Sequence, residues 1–486
     1  MSASDFRELP DLASERLGGS VLYATDDFFA EKENLIKAAP PVWKEHEYTD
    51  RGKWMDGWES RRKRTPGHDF AILRLGARGV IRGIVVDTSF FRGNYPESCS
   101  LDACSLPPES SVESLLVAQW TEILPKSPLK GDSQNTLAID NRFAFTHLRF
   151  HIDPDGGVAR LRVHGDVVPD WHRAGGLLSE LDLAAIEHGG EVLSCSDMFF
   201  GPKHNLIMPG RPGNMSEGWE TRRRRGPGHD WVIVKLATEA MVRRIEVDTA
   251  HFKGNYPDTA SIEGSPDGKE WFEILPRTKM QADTRHIFID ELTQRGPLTH
   301  VRLNVFPDGG VARLRVFGVA TEKGRERELT LRINTLINDL AAGELRSCCG
   351  SSEWVRRMIE ARPFRDWNDL VGNAEKTWRG LQANEWREAF AAHPRIGEKS
   401  AARWSSAEQS GTAKVSPKTI QALTVANRAY EDRFGHTYIV CATGKSADEM
   451  VAMAQKRLQN GPEEELRVAA EEQWKIMKLR LMKLVE

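Results

Sequence analysis

Up to about residue 320, apolar and polar residues alternate in short runs. Phe70-Ala71-Ile72-Leu73-Arg74-Leu75, Ile81-Arg82-Gly83-Ile84-Val85-Val86-Asp87-Thr88, His147-Leu148-Arg149-Phe150-His151-Ile152 and Arg160-Leu161-Arg162-Val163-His164-Gly165 each place apolar side chains on one face of a strand. Gly, Pro, Asn and Asp clusters separate them, as in an antiparallel sandwich. Val242-Arg243-Arg244-Ile245-Glu246-Val247-Asp248-Thr249 and Leu298 to Phe306 repeat the texture. From Leu329 the period turns helical, through Leu331, Ile333, Leu336, Ile337 and Leu340, and helices are predicted over Glu353–Ala361, Trp367–Ala374, Asn384–Ala391, Lys418–Phe434, Ser446–Leu458 and Pro462–Leu484. Leu177, Leu178, Leu181 and Leu183 predict a short helix within Trp171–Glu187. The expected architecture is two tandem all-β jelly-roll-like sandwiches followed by an all-α helical domain. Its expected parts are a lead-in over 1–18, sandwiches over 19–168 and 189–320, a linker helix over 169–188, a charged junction over 321–328 and the helical domain over 329–486.

The two β-rich stretches are copies. Gly57-Trp58-Glu59-Ser60-Arg61-Arg62-Lys63-Arg64-Thr65-Pro66-Gly67-His68-Asp69 returns as Gly218 to Asp230, and Phe91-Arg92-Gly93-Asn94-Tyr95-Pro96 as Phe252 to Pro257. Pro154-Asp155-Gly156-Gly157-Val158-Ala159-Arg160-Leu161-Arg162-Val163 returns as Pro307 to Val316. A period of this length marks duplicated domains and not a solenoid of small repeats.

Composition narrows the class. With 40% hydrophobic and 28% charged residues the chain has material for ordinary cores and a charged surface. A net charge of -3 supplies no global basic field for nucleic acid, so the arginine runs need a local explanation. The six cysteines form no CxxC pair, and neither a disulfide framework nor a zinc site is expected. No apolar run reaches the length of a membrane span, Met1 to Leu9 reads as no secretory leader, and Leu484-Val485-Glu486 is no peroxisomal tripeptide. A cytoplasmic enzyme without membrane or nucleic-acid partners is expected.

Each repeat gathers Arg for bidentate capture of a carboxylate, His beside Asp for acid or base work, and Asn for a urea-like group. Asp26 and Asp197, at matching places, read either as cation ligands or as loop caps. In the helical region, His393-Pro394 follows a predicted helix, and Glu408 is placed to orient the imidazole or keep it charged, or to cap the next helix.

The three doubled motifs resemble the allantoicase family over about residues 15 to 320. The resemblance implies hydrolysis of allantoate, a small carboxylate bearing two ureido groups, to ureidoglycolate and urea. Carried onto this chain it points to His68, Asp69, His229 and Asp230 as catalytic. It points to Arg61, Arg62, Asn94, Arg160, Arg162, Arg222, Arg223, Asn255, Arg313 and Arg315 as substrate-binding. A divalent metal is left open, as is which repeat is active. His393-Pro394-Arg395-Ile396-Gly397, Glu408-Gln409 and Asn427 to Gly444 resemble the 2-oxo-4-hydroxy-4-carboxy-5-ureidoimidazoline (OHCU) decarboxylase family over about 329 to 486. That resemblance implies a cofactor-free decarboxylation to S-allantoin. His393 would be the acid assisted by Glu408, Pro394 would stand beside the substrate, and Ser405 and Gln409 would bind it by hydrogen bonds. The backbone of Tyr438, Ile439, Val440, Cys441 and Ala442 would line the pocket, with Arg480 facing a carboxylate. Phe434-Gly435-His436-Thr437-Tyr438 departs from the family's usual loop. The expected whole is a bifunctional purine-degradation enzyme acting on small ureides, with a homo-oligomer implied by resemblance. The two steps are not consecutive, since allantoinase acts between them, so co-expression or association with allantoinase would account for the fusion. The alternative is a decarboxylase carrying tandem carbohydrate-binding or degenerate scaffold domains.

Overall fold

The computed structural model describes residues 6–293, 296–393 and 417–485. The chain forms two compact units, one ending at Arg325 and the other beginning at Glu326.

In the first repeat, strands β1 (Ser20–Ala24), β2 (Asp69–Asp87), β3 (Ser98–Cys104), β4 (Thr121–Pro128), β5 (Gln134–Ala138), β6 (Ala144–Asp153) and β7 (Arg160–Val167) are all antiparallel. The long strand β2 organises them. Its first half pairs with β1 and β6, its register shifts between Arg74 and Gly79, and its second half pairs with β5 and β7. Val, Ile and Leu fill both faces of this strand: Leu73, Ile81, Ile84 and Val86 are buried, as are Leu148, Phe150 and Leu161 on its neighbours, while Ile72, on the face opposite Leu73, packs with Cys104 and Leu115.

The second repeat repeats this order with β8 (Leu181–Asp182), β9 (Glu191–Cys195), β10 (Asp230–Asp248), β11 (Thr259–Ser265), β12 (Phe272–Lys279), β13 (Arg285–Phe288), β14 (Leu298–Phe306) and β15 (Arg313–Ala320). Trp58 and Trp219 are wholly buried, and their indole N–H groups donate to the carbonyls of Asp26 and Asp197 at 2.8 Å.

The helix expected within Trp171–Glu187 is not formed. Gly175 and Gly176 take left-handed φ values of 97° and 85°, which interrupts a helix, and Leu181–Asp182 instead adds a short strand to β15. Asp182 Oδ1 accepts the Val316 and Ala184 N–H groups, just as Asp11 Oδ1 accepts those of Val163 and Ala13. Asp182-Leu183-Ala184 is thus a further copied segment, of Asp11-Leu12-Ala13, buried through Leu12 and Leu183.

The stretch expected as a charged junction also folds differently. Its Glu, Lys and Arg residues favour helix and join α1 (Glu322–Thr335), with the Thr321 hydroxyl accepting the Gly324 N–H. In the second unit follow α2 (Asn338–Cys348), α3 (Ser352–Glu360), α4 (Trp367–Arg379), α5 (Ala383–Ala391), α6 (Pro417–Phe434), α7 (Ala447–Arg457) and α8 (Pro462–Met482). Ser351 and Asp366 cap α3 and α4, and Ser446 forms a reciprocal box with Glu449 on α7. Trp354, Trp378, Phe390, Met477 and Leu481 lie in the helical core.

A Cβ on Gly157 or Gly310 would run into the ring of Phe91 or Phe252. These glycines therefore set how closely the Pro-Asp-Gly-Gly corner approaches the Gly-Asn-Tyr-Pro turn. Gly310→Ala is expected to cost about 1–3 kcal/mol in denaturant unfolding of the β unit through overpacking. Gly254→Ala, whose Cβ enters open space, should leave the midpoint nearly unchanged.

Candidate functional site

The cationic run opens each site after the short strand Trp58–Glu59 or Trp219–Glu220. Its side chains alternate between protein and solvent. Arg61 bonds Asp26 through Nε at 2.7 Å, Lys63 bonds the buried Asp69, and Arg222 and Arg224 do the same with Asp197 and Asp230. Arg62, Arg64, Arg223 and Arg225 are exposed and carry no ion pair or hydrogen bond to the described residues. Asp26 and Asp197 also accept backbone N–H groups of Arg61 and Arg222, so both act as loop caps. Burial acts to raise the pKa of Asp26, but these bonds outweigh it and hold it below the usual carboxylate value.

Arg160 and Arg313 are only 2% and 4% exposed, and both are engaged by the protein. Arg160 bonds Asp56 and the carbonyls of Ala39, Asp56 and Ala159. Arg313 bonds those of Gly210, Glu217 and Ala312. Arg162 reaches Ala38 O, and Arg315 reaches Met208 O and Gly210 O. All four thus hold the segment ahead of the cationic run. Asn94 and Asn255 each donate through Nδ2 to a carboxylate, Glu59 at 2.7 Å and Glu220 respectively.

His68 heads a hydrogen-bonded chain. Its Nε2 lies 2.8 Å from His151 Nδ1, His151 Nε2 lies 3.0 Å from Asp102 Oδ2, and Arg149 Nη2 donates to that oxygen at 2.6 Å. Strand register builds the base of it, since β3 and β6 pair Asp102 with Arg149 and Ser100 with His151. Burial would raise the Asp102 pKa, but the His151 and Arg149 bonds hold it below the ordinary value. The carboxylate therefore accepts from His151 Nε2–H, leaving His151 Nδ1 as acceptor for His68 Nε2–H and His68 Nδ1 free for substrate. Desolvation, then the neighbouring His151, lowers the His68 pKa.

The second repeat departs at this point. The register partners are Glu263 with Arg302 and Ser261 with Asn304, so Asn304 stands where the first repeat has His151. Arg302 and Asn304 both bond Glu263, at 2.6 and 2.8 Å, and His229 packs on Phe306 with ring centres 4.5 Å apart. These groups line a cleft of about 410 Å³. His151, Asp102 and Arg149 escaped the sequence reading. The polar residues inserted into otherwise apolar strand runs were the available signal.

In the helical unit, His393 follows α5 and is half-buried, with Arg480 Nη2 on α8 3.5 Å from its Nδ1. Burial and then Arg480 push the imidazole pKa down to about 3, so it is neutral. Pro394, Ser405, Glu408 and Gln409 lie outside the described residues. Tyr438 is a core side chain bonded to Met450 O. The backbone after it is anchored: Arg457 donates to Ile439 O, Glu472 accepts from Cys441 N–H and Lys445 donates to Cys441 O. Val440 and Ala442 belong to the same segment, and Val440 packs in the core with Tyr430 and Tyr438. His436, in the divergent loop, packs among Phe390, Tyr430 and Phe434.

Comparison with known proteins settles the family. The allantoicase repeat profile matches residues 10–168 and 181–321, and the OHCU decarboxylase profile matches 334–482.

The chain belongs to the allantoicase family.

A probable allantoicase of Photobacterium profundum is 49% identical over 331 residues, covering 66% of this chain and 99% of the relative. One from Pseudomonas fluorescens (strain SBW25) is 50% identical over 327 residues, covering 65% and 98%. The allantoicase crystal structure from Saccharomyces cerevisiae aligns with a TM-score of 0.56 at 34% identity, covering 65% of this chain and 96% of that one. An allantoicase is here joined to an OHCU decarboxylase domain, making a bifunctional purine-degradation enzyme, and the carbohydrate-module or scaffold alternative is not favoured. Among the described residues no helix is long and apolar enough to cross a membrane, and no group of three or more His, Cys, Asp and Glu is arranged to hold a metal ion.

A neutral His393 makes a pH prediction. Protonation of this imidazole is confined to strongly acid solution, so the decarboxylase kcat/KM, corrected for substrate ionisation, should show no histidine inflection between about pH 5 and 8. An inflection in that range, abolished in His393→Asn, would show instead that the imidazole is kept charged in the free enzyme.

Proposed function

We propose that allantoate hydrolysis is carried by the first repeat, with the His68–His151–Asp102 chain as its proton relay. That chain of hydrogen bonds is the observation on which the reading rests. Arg62 and Arg64, free of partners among the described residues, hold the substrate carboxylate, and Asn94, its amide nitrogen fixed by Glu59, offers Oδ1 to a ureido N–H. His68 Nδ1 takes a proton from the attacking water while its Nε2 proton moves to His151, whose charge Asp102 stabilises. The reverse transfer protonates the departing nitrogen, so urea leaves and the water oxygen stays on carbon. In the helical unit, Arg480 holds a substrate carboxylate and neutral His393 donates a hydrogen bond to the charge that develops where carbon dioxide departs.

The reading extends to the cytoplasm, supported by six free cysteines without a disulfide. It extends also to a homo-oligomer and to assembly with allantoinase, supported by family resemblance and by the fusion of two steps that allantoinase separates.

Urea release from allantoate tests it on the purified full-length protein, with and without chelator. His68→Asn and His151→Asn should each lower kcat by about 10²-fold or more, and Arg62→Ala should act mainly on KM. The acid limb of kcat/KM should fall below the ordinary imidazole pKa, because the His68 pKa is lowered. Full activity in both histidine variants would remove the first repeat from the chemistry. Loss on chelation, restored by a divalent cation, would add a metal to the site.

A further inference from the structure

One element sets the first repeat apart from the second. Ile36 and Trp58 are 22 positions apart, whereas their counterparts Ile207 and Trp219 are 12 apart. The longer segment accommodates a hairpin in which Tyr48–Thr49 pairs with Gly52–Lys53 and Asp50-Arg51 make the tip. Cations over rings hold its shape: Lys53 Nζ lies 4.8 and 4.9 Å from the ring centres of Trp43 and Tyr48, and Lys44 Nζ 4.6 Å from that of Trp54.

The hairpin reaches two loops that carry site residues. At its tip Arg51 Nη1 donates to Phe28 O at 3.0 Å, and the guanidinium lies 5.1 Å from the centre of the Phe28 ring. Arg61, first of the cationic run, lies 5.0 Å from the centre of the same ring. Phe28 N–H also donates to Asp26, the carboxylate that pins Arg61. At the base Trp43 packs on Phe90 with ring centres 5.8 Å apart, and Phe90 opens the turn that leads to Asn94.

The second repeat shows the same loop without this brace. Phe28 and Phe29 meet edge to face with ring centres 5.2 Å apart, as do Phe199 and Phe200 at 4.8 Å. Phe199 likewise carries the guanidinium of Arg222, at 4.9 Å, yet it is 63% exposed where Phe28 is 38%, and Phe200 is 61% exposed where Phe29 is half-buried. The hairpin therefore supplies the cover and the second cation. A Phe28 ring held by Arg51 restricts Arg61, and with it the backbone of Arg62, before substrate arrives, which lowers the ordering cost of binding.

We propose that Arg51 is a positioning residue of the first repeat's site, bracing the Asp26 loop through Phe28 and so aligning the run Arg61–Arg64 for the substrate carboxylate. This role rests on the first repeat being the hydrolytic one.

Urea release from allantoate by the full-length protein tests it. The hairpin is removed by replacing Lys37–Asp56 with a copy of Met208–Glu217, a segment that gives the clamp arginines Arg313 and Arg315 the carbonyls of Met208, Gly210 and Glu217 in place of those of Ala38, Ala39 and Asp56. The replacement should raise KM about tenfold with kcat within about twofold, and Arg51→Ala should raise KM about threefold with an unchanged thermal unfolding midpoint. The ratio of variant to parent KM should hold between about 0.05 and 0.5 M salt, where the field of one distant cation is screened away. A ratio that collapses toward one in high salt would assign the effect to that field and overturn the positioning role, as would a loss confined to kcat. Unchanged KM in both variants, with His68→Asn inactive, also overturns the proposal. Unchanged KM together with an active His68→Asn overturns the hydrolytic assignment of the first repeat, and the proposal with it.

Discussion

The loop end of each sandwich depends on two buried or half-buried carboxylates that take alternate members of a cationic run. Asp26 and Asp69 bind Arg61 and Lys63, and Asp197 and Asp230 bind Arg222 and Arg224. In an extended segment neighbouring side chains point to opposite sides, so pinning every second residue presents the others to solvent. Arg62, Arg64, Arg223 and Arg225 are therefore aligned without contacts of their own among the described residues. The same pinning draws the Gly-His-Asp turn in, because Asp69 also accepts from Thr25 and its neighbour His68 then reaches His151. The cationic run and the His68–His151 pair of the first repeat thus share one electrostatic anchor.

A second level of support lies behind this latch. Arg160 and Arg313 gather backbone carbonyls from the segment that precedes the run, and Asp11 and Asp182 receive the N–H groups of β7 and β15. Burial raises the Asp182 pKa to about 6 even with Arg315 beside it, which marks how fully that carboxyl is enclosed. Arg160 and Arg313, charged members of a linear motif, serve here as internal clamps. Exposure and the count of protein partners separate the two uses, and neither is visible in a string of residues.

This explains which parts were legible in advance. Strand period, turn clusters and the long doubled motifs carried the two sandwiches, and the helical period from Leu329 onward carried the helical domain. Leu177 to Leu183 misled because leucines at helical spacing outweighed two glycines and a short copied Asp-Leu-Ala, although that copy builds the edge of the second sheet. The relay was illegible for a different reason. His68, Asp102 and His151 come from three distant segments and meet only through the pairing of β2, β3 and β6.

Duplication preserved the frame of both sites while letting their chemistry separate. Arg149 and Arg302 each hold a carboxylate at the same register position, Asp102 in one repeat and Glu263 in the other. The single exchange of His151 for Asn304 then decides what that carboxylate can do. Beside an imidazole it accepts a hydrogen bond from a group that can titrate, whereas beside an amide, which does not titrate, it orients a dipole. Phe306, in place of Asp153, completes the divergence by giving His229 an aromatic neighbour where His68 has a carboxylate. Two similar sandwiches in one chain thus differ in the groups their copied strands bring together, an imidazole pair in the first and an amide with an aromatic ring in the second.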